Sequence, residues 1–373
     1  MIKDLKIHAF KSIKDLEFDC SALNLFVGTN SSGKSSCLQA LLLYEQNLKM
    51  RAGLNGNYIS LGEFREIRNN YMPREDIRIQ IVGDNTDGEE FEDGIRLTET
   101  EDGYETVREF DSKKVNRPCG PGSESPFYTD FHYLSCHRIG ALDIYQRNFN
   151  HYSKFGNNGE FALDYLLAHG TTDLVEEELC VDSENISRTL LAQVNYWLKY
   201  IIGTELALRE IQKTNCLQVT YNNNPANGNS DAMYRRPVNI GSGVSYLISI
   251  IIACLGSGRN SVIVMENPEI HLHPKAQSRL TELLYRTACS GRQLFVETHS
   301  DHIFNGLRVG ISSKGWEQDK IRVNFLAMSK DYETCCNPIR FGEFGKIWGE
   351  NPDMDLNDLF DQFEIDLDLM LGI

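Results

Sequence analysis

The chain has 373 residues, 41% of them hydrophobic, and a formal net charge of −16. That length suits one large domain or two smaller ones, and the negative charge repels nucleic acid at long range, which argues against a dedicated DNA binder. The longest apolar run, Leu247 to Leu255 with Ser249 inside it, falls well short of the roughly 20 residues that a membrane-spanning helix needs. Met1-Ile2-Lys3-Asp4 leads into mixed charge, so no secretory signal is expected. The ten cysteines contain no C-x-x-C pair and read as reduced thiols of a cytoplasmic protein, with no zinc knuckle.

In chain order, Ile2 to Phe10 alternates apolar and polar residues, as a half-buried strand does, and Leu16 to Cys20 alternates again. Leu23 to Val27 is a short, largely apolar run, as a buried strand would be. Gly28-Thr29-Asn30-Ser31-Ser32-Gly33-Lys34-Ser35 follows, then a helix former predicted to run to about Met50. The stretch fits G-x-x-x-x-G-K-[ST] at every fixed position. Strand, glycine loop and helix aim backbone N–H groups and a helix N-terminus at an anion. The stretch is therefore read as a nucleoside-triphosphate loop. Gly28 and Gly33 let the backbone come close to phosphate oxygens, Lys34 reaches the β- and γ-phosphates, and Ser35 ligates Mg²⁺. Asn30, Ser31, Ser32 and Ser36 complete the phosphate-binding positions.

Several β-like pieces lie between 57 and 110, among them Ile77 to Val82 and Gly94 to Leu97. Residues 84–105 hold ten acids against one base, Arg96. Such a run reads as a solvated face or hairpin loop, the alternative being a docking patch for a basic partner. Pro118, Gly120, Pro121 and Gly122 mark a loop, and Phe131 to Ser135 is a further candidate strand, followed by Arg138. Residues 161–213 have apolar side chains at helical spacing. Asn222 to Asn229 is a polar loop. No internal repeat and no sustained heptads occur, which removes a long coiled-coil arm.

In the closing third, Ile240-Gly241-Ser242-Gly243 leads into a buried helix around Tyr246 to Ile252. Ser261 to Met265 reads as a central parallel strand, ending in Glu266-Asn267-Pro268-Glu269-Ile270-His271-Leu272-His273-Pro274. Gln293 to Glu297 is a second strand, ending in Thr298-His299-Ser300-Asp301-His302. Both deliver polar residues at their carboxyl ends, where open α/β sheets place ligands. His271, His273, His299 and His302 are read as structural hydrogen-bonding residues in preference to zinc ligands.

Taken jointly and in this order, these motifs resemble the ABC-type ATPase head, in the branch with RecF, the structural-maintenance ATPases and the OLD-family ATPases. The stretches Glu266 to Pro274 and Val296 to His302 are similar to those of prokaryotic ATPases found in anti-phage and toxin–antitoxin operons. Leu359-Phe360-Asp361-Gln362-Phe363 resembles that group's short tail domain. The resemblance implies an α/β fold: an ABC-type P-loop head with a mixed central sheet, an N-terminal antiparallel β portion, a helical insertion and no long coiled coil. The expected division is 1–83 for the N-terminal part of the head, 84–235 for a β-hairpin and helical insertion, 236–330 for the C-terminal part of the head, and 331–373 for an acidic tail domain.

Position by position, the resemblance implies further roles. Lys11 and Ser12 match the N-terminal loop beside the nucleotide. Ser242 and Gly243 match the signature turn that caps the γ-phosphate bound by a second subunit. Glu266 takes the Mg²⁺-side acid position, and Asn267 stands where the catalytic glutamate is expected. His299 matches the switch histidine that senses the γ-phosphate. Gln80 is a candidate for the glutamine-bearing loop by distance alone. The implied cofactors are ATP and Mg²⁺. The implied partners are a second copy of the chain, in a homodimer or higher homo-oligomer closed around ATP, and an operon-encoded nuclease or toxin effector, with DNA not favoured and no membrane. Asn267 in place of a carboxylate implies slow hydrolysis, because a carboxamide is a negligible base at pH 7. Two other readings are weighed: a RecF-like factor that binds DNA ends, which the charge opposes, and an OLD-type nuclease. The stretch after His299 is too short for the head's last strands plus a nuclease fold of about 100 residues. The pairs Asp353/Asp355 and Asp366/Asp368 lie in what reads as an exposed acidic helix.

Overall fold

The alternation from Ile2 to Phe10 becomes a strand with Ile2, Leu5, Ile7 and Phe10 buried. The computed structural model describes residues 1–49, 52–85, 88–110, 125–149, 153–181, 186–223, 234–356, 359–360 and 362–371. Its elements begin with β1 (Ile2–Phe10), β2 (Ile13–Asp19), β3 (Leu23–Gly28), α1 (Lys34–Lys49), α2 (Phe64–Ile67), β4 (Ile77–Asp84), β5 (Glu90–Thr100), β6 (Gly103–Phe110), β7 (Asp130–Leu134) and β8 (Tyr145–Gln146). They continue with α3 (Ala162–His169), α4 (Leu190–Ile202), β9 (Glu205–Ile211), β10 (Cys216–Asn222), α5 (Gly243–Gly256), β11 (Ser261–Glu266), α6 (Pro274–Cys289) and β12 (Gln293–Glu297). The last are α7 (Asp301–Lys314), β13 (Ile321–Met328), β14 (Thr334–Phe341), β15 (Ile347–Gly349) and α8 (Gln362–Leu371). The longest helices have 16 residues, too short for a coiled-coil arm among the described residues.

The chain divides into two compact units, Met1–Thr129 with Ile311–Ile373, and Asp130–Gly310. The first unit holds an antiparallel sheet in the order β2-β1-β4-β5-β6. β1 and β2 are joined by the two-residue turn Lys11-Ser12, with Lys11 in the left-handed region at φ 54°. Tight hairpins need such backbone, because its twist matches that of the strands. The same unit holds a mixed sheet. β3 is buried along nearly its whole length and runs parallel to β13, which pairs antiparallel with β14, and β14 with β15.

The acidic run of 84–105 is not simply a solvated face. Asp93 on β5 is fully buried. It accepts hydrogen bonds from the Arg108 guanidinium through both oxygens, from the Tyr44 hydroxyl on α1 at 2.8 Å and from the Gly94 N–H at 2.9 Å. Glu99 pairs with Arg65 at 3.0 Å and Arg68 at 2.6 Å. Asp93 thus ties the antiparallel sheet to the helix that follows the phosphate loop. Removing one partner of a buried ion pair strands the other charge, at a cost of about 3–5 kcal/mol. Asp93→Ala should lower unfolding stability by that amount in urea denaturation. A loss below about 1 kcal/mol would mean that Arg108 finds water or another acceptor.

The second unit holds the parallel order β12-β11-β7, with β11 and β12 buried throughout. α5 is apolar nearly all round and packs against α3, α4 and α6 as the unit's central helix. A separate three-stranded sheet runs β8-β10-β9.

The expected helical stretch 161–213 is only partly helical. α4 stops at Gly203, whose φ of 75° is the usual left-handed end of a helix. Glu205–Ile211 then pairs as β9 with β10, from Leu206↔Tyr221 to Ile211↔Cys216. Asp353 lies in a turn and Asp355 in irregular backbone, neither on a helix, whereas Asp366 and Asp368 fall within α8. Asn222, the expected start of a polar loop, instead ends β10, while residues 224–229 of that loop, the loop expected at 118–122 and Asp361 of the tail motif lie outside the described residues.

Candidate nucleotide site

In the first unit, β3 delivers Gly28 at φ 137° against the neighbouring strand. A Cβ there would lie 2.0 Å from the Leu326 carbonyl oxygen, with which Gly28 is in parallel register. Gly33 at φ 99° has the same constraint: its Cβ would lie 2.3 Å from Thr334 Oγ1. Both glycines are required by backbone angle and by close approach together. Between them Asn30 and Ser31 are exposed, Ser31 in the left-handed region at φ 62°, and Ser32 is buried. α1 begins at Lys34, so its amino end follows directly on the loop, and the Cys37 N–H donates to the Gly33 carbonyl at 3.1 Å.

Lys34 is 3% exposed and curls inward. Its ammonium donates to the Gly28 carbonyl at 2.9 Å, the Thr29 carbonyl and, more loosely, Ser32 Oγ at 3.4 Å. Ser35 is exposed on the first turn of α1, and Ser36 half-buried. A loop that tolerates no side-chain carbon at Gly28 or Gly33 and holds a buried ammonium against its own carbonyls fits a polyphosphate site, and the exposed Ser35 hydroxyl fits a Mg²⁺ ligand.

The Lys11-Ser12 turn is held to this loop. The Lys11 ammonium donates to Gln39 Oε1 of α1 at 2.5 Å, and half-burial lowers its pKa. Ser12 Oγ and Thr334 Oγ1 are 2.7 Å apart, and the Thr334 N–H donates to the Ser12 carbonyl at 2.9 Å. Lys14 pairs with Glu333 at 2.6 Å. Gln39 and Thr334 were not singled out from sequence. Gln39 follows Ser35 by one helical turn and could have been found; Thr334 is remote in sequence and carries no local signal. Gln80 sits in mid-β4 opposite Lys6 and Gly94, in a surface hollow with Lys6, Glu17 and Arg78 that includes none of residues 28–36.

In the second unit, the strand ends carry the other candidates. Glu266 ends β11, in register with Glu297 of β12. Its carboxylate is buried and accepts the Tyr133 hydroxyl at 2.9 Å and the Cys136 N–H at 3.0 Å. Burial, reinforced by this carboxylate, raises the Tyr133 hydroxyl far above its usual range and pushes the Cys136 thiol up to about 11, so both stay protonated beside it.

Asn267 stands just outside the strand, at φ 43°, with its N–H donating to the Glu297 carbonyl at 2.8 Å. Strand alternation therefore ends at Glu266 and does not set where the Asn267 carboxamide points. Glu269 Oε1 accepts the His299 N–H at 2.8 Å, which ties the turn after β11 to the turn after β12, and the His299 residue is exposed.

Ser242 is exposed and precedes α5 without a side-chain cap bond. A Cβ on Gly243 would lie 2.5 Å from the His271 carbonyl oxygen, so the signature turn packs on the segment after Glu266. His271 packs tilted against Tyr246, 4.7 Å between ring centroids, and His273 caps α6 by accepting the Lys275 N–H at 3.3 Å. Arg138, noted in sequence only as following a strand, reaches the backbone of both Glu266 and Asn267.

The phosphate loop marks a nucleotide-binding protein of the P-loop class. The chain belongs to the family described as the AAA ATPase domain, whose model matches residues 1–117 and 141–304. No curated protein gives a significant sequence match. Among solved structures, it is similar to an Smc head domain with an extended coiled coil bound to the C-terminal domain of ScpA, derived from Pyrococcus furiosus, at 14% identity and TM-score 0.50, covering 99% of each chain. It is similar also to an Smc head bound to the C-winged helix domain of ScpA, at 15% identity and TM-score 0.50, covering 90% of this chain and 97% of that one. The SMC head domain from Thermotoga maritima matches at 12% identity and TM-score 0.46, over 91% of this chain and 99% of that one. At these identities the first two likenesses show the fold alone, which is similar to that of the Smc heads. No described helix is long and apolar enough to cross a membrane.

Proposed function

We propose that this protein is a slow ATPase that closes into a dimer around ATP and thereby switches an effector, a nuclease or toxin, in a prokaryotic defence system. The observation that carries the ATP reading is the loop itself, with Gly28 and Gly33 pressed against Leu326 and Thr334 and the buried Lys34 ammonium held on the Gly28 carbonyl. Lys34 offsets phosphate charge. Ser35 and Glu266 are the side chains that would hold Mg²⁺, which when bound neutralises charge on the phosphates. Asn267 orients the attacking water. Ser242 and Gly243 serve the nucleotide of a second subunit. The effector role rests on the likeness of Glu266 to Pro274 and Val296 to His302 to defence-operon ATPases.

His299 donates to the γ-phosphate in this reading, a bond that ADP cannot receive. One charge-assisted bond is worth about 1.5–3 kcal/mol, enough to bias a two-state switch about tenfold. Solution mass should rise with ATP and not with ADP, because nucleotide then acts as a ligand of the dimer alone. His299→Ala should weaken that response about tenfold while leaving ADP affinity unchanged. Equal mass in ATP, ADP and no nucleotide refutes nucleotide-driven association, and equal loss of ATP and ADP affinity in the variant marks His299 as structural.

A further inference from the structure

We infer that Arg138 is a positioning residue for hydrolysis, holding Asn267 where its carboxamide meets the attacking water; this rests on the ATPase reading above. Arg138 lies just beyond β7 and is 2% exposed. Its Nη1 donates to the Ser135 carbonyl at 2.8 Å and to the Glu266 carbonyl at 2.6 Å, and its Nη2 donates to the Asn267 carbonyl at 2.6 Å.

The two last carbonyls have a special relation to Asn267. Peptide units are planar, so each residue turns only about its φ and ψ bonds. The Glu266 carbonyl belongs to the plane before those bonds, and the Asn267 carbonyl to the plane after them. A guanidinium is a rigid planar fork, and gripping both planes sets φ and ψ of Asn267 together. The bond from the Asn267 N–H to the Glu297 carbonyl fixes the first plane a second time. The resulting φ of 43° is left-handed, a conformation that asparagine tolerates better than most residues. Such backbone persists only where its surroundings over-determine it.

A lysine offers one ammonium and cannot reproduce the fork. A misplacement of about 1 Å in a catalytic group can cost 100-fold in rate. The phosphate loop is built elsewhere in the chain and makes none of these contacts.

The test compares wild type with Arg138→Ala and Arg138→Lys, measuring kcat for Mg²⁺-ATP, the dissociation constant for a fluorescent ATP analogue, and thermal unfolding. Both variants should lose about 10- to 100-fold in kcat and keep nucleotide affinity within about threefold. Absence of hydrolysis by the wild type overturns the ATPase reading and this inference with it. Wild-type hydrolysis that both variants retain overturns the positioning role alone. Parallel loss of kcat and affinity, or loss of cooperative unfolding in both variants, makes Arg138 a fold residue and also overturns it.

Discussion

Lys34→Ala should abolish nucleotide binding at ordinary concentrations. The ammonium is the charge folded into the loop, held by the Gly28 and Thr29 carbonyls. Alanine removes that charge and leaves the carbonyl oxygens facing an incoming phosphate. Two charge-assisted bonds, at about 1.5–3 kcal/mol each, correspond to at least about a 100-fold rise in the dissociation constant. A titration with a fluorescent ATP analogue measures it, with thermal unfolding in the absence of nucleotide as the control for folding. Affinity within about threefold of wild type, in a folded variant, would sink the assignment of this loop as the phosphate site.

Asn267→Glu should speed hydrolysis at least about tenfold, since a positioned general base is worth 100-fold or more. The wild type should turn over well below about one per second, against a typical enzyme median near ten per second. Orientation without a base still catalyses, because phosphoryl transfer relies mostly on positioning and charge stabilisation. Glu266 does not substitute in this account. It is assigned to Mg²⁺, and its carboxylate is held by the Tyr133 hydroxyl and the Cys136 N–H. The left-handed backbone at 267 suits Asn better than Glu, so some loss of stability should accompany the gain in rate. Steady-state turnover of both forms, beside Glu266→Gln and Asn267→Ala, decides the matter. Fast wild-type turnover that survives Asn267→Ala and dies in Glu266→Gln would make Glu266 the base and shift the motif by one residue.

What the sequence disclosed was local. The phosphate loop is legible because each fixed residue answers a local demand: glycine for a positive φ, lysine for charge, serine for a hydroxyl at a helix start. The strands at Ile2–Phe10, Ser261–Glu266 and Gln293–Glu297 are legible from period and apolar run. What escaped lies in contacts between distant residues. Thr334 meets Gly33 and Ser12, Arg138 spans the carbonyls either side of the Asn267 torsions, and Asp93 meets Tyr44 and Arg108. No spacing rule encodes these pairs. Residues 205–211 were misread because their leucines and alanine suit either period, and only the left-handed Gly203 and the pairing with β10 decide for a strand.

The walls around Gly28 and Gly33 come from residues far downstream in sequence: the Leu326 carbonyl against one glycine and the Thr334 hydroxyl against the other. A polypeptide emerging from the ribosome therefore carries its signature glycine loop long before it carries the surfaces that shape it. β3 waits for its parallel neighbour β13 across nearly 300 residues, a pairing of the slow, non-local kind. Nascent chains halted before Thr334 should hold the complete motif and still lack the residues packed against its glycines, so that competence for nucleotide waits for synthesis to pass Thr334.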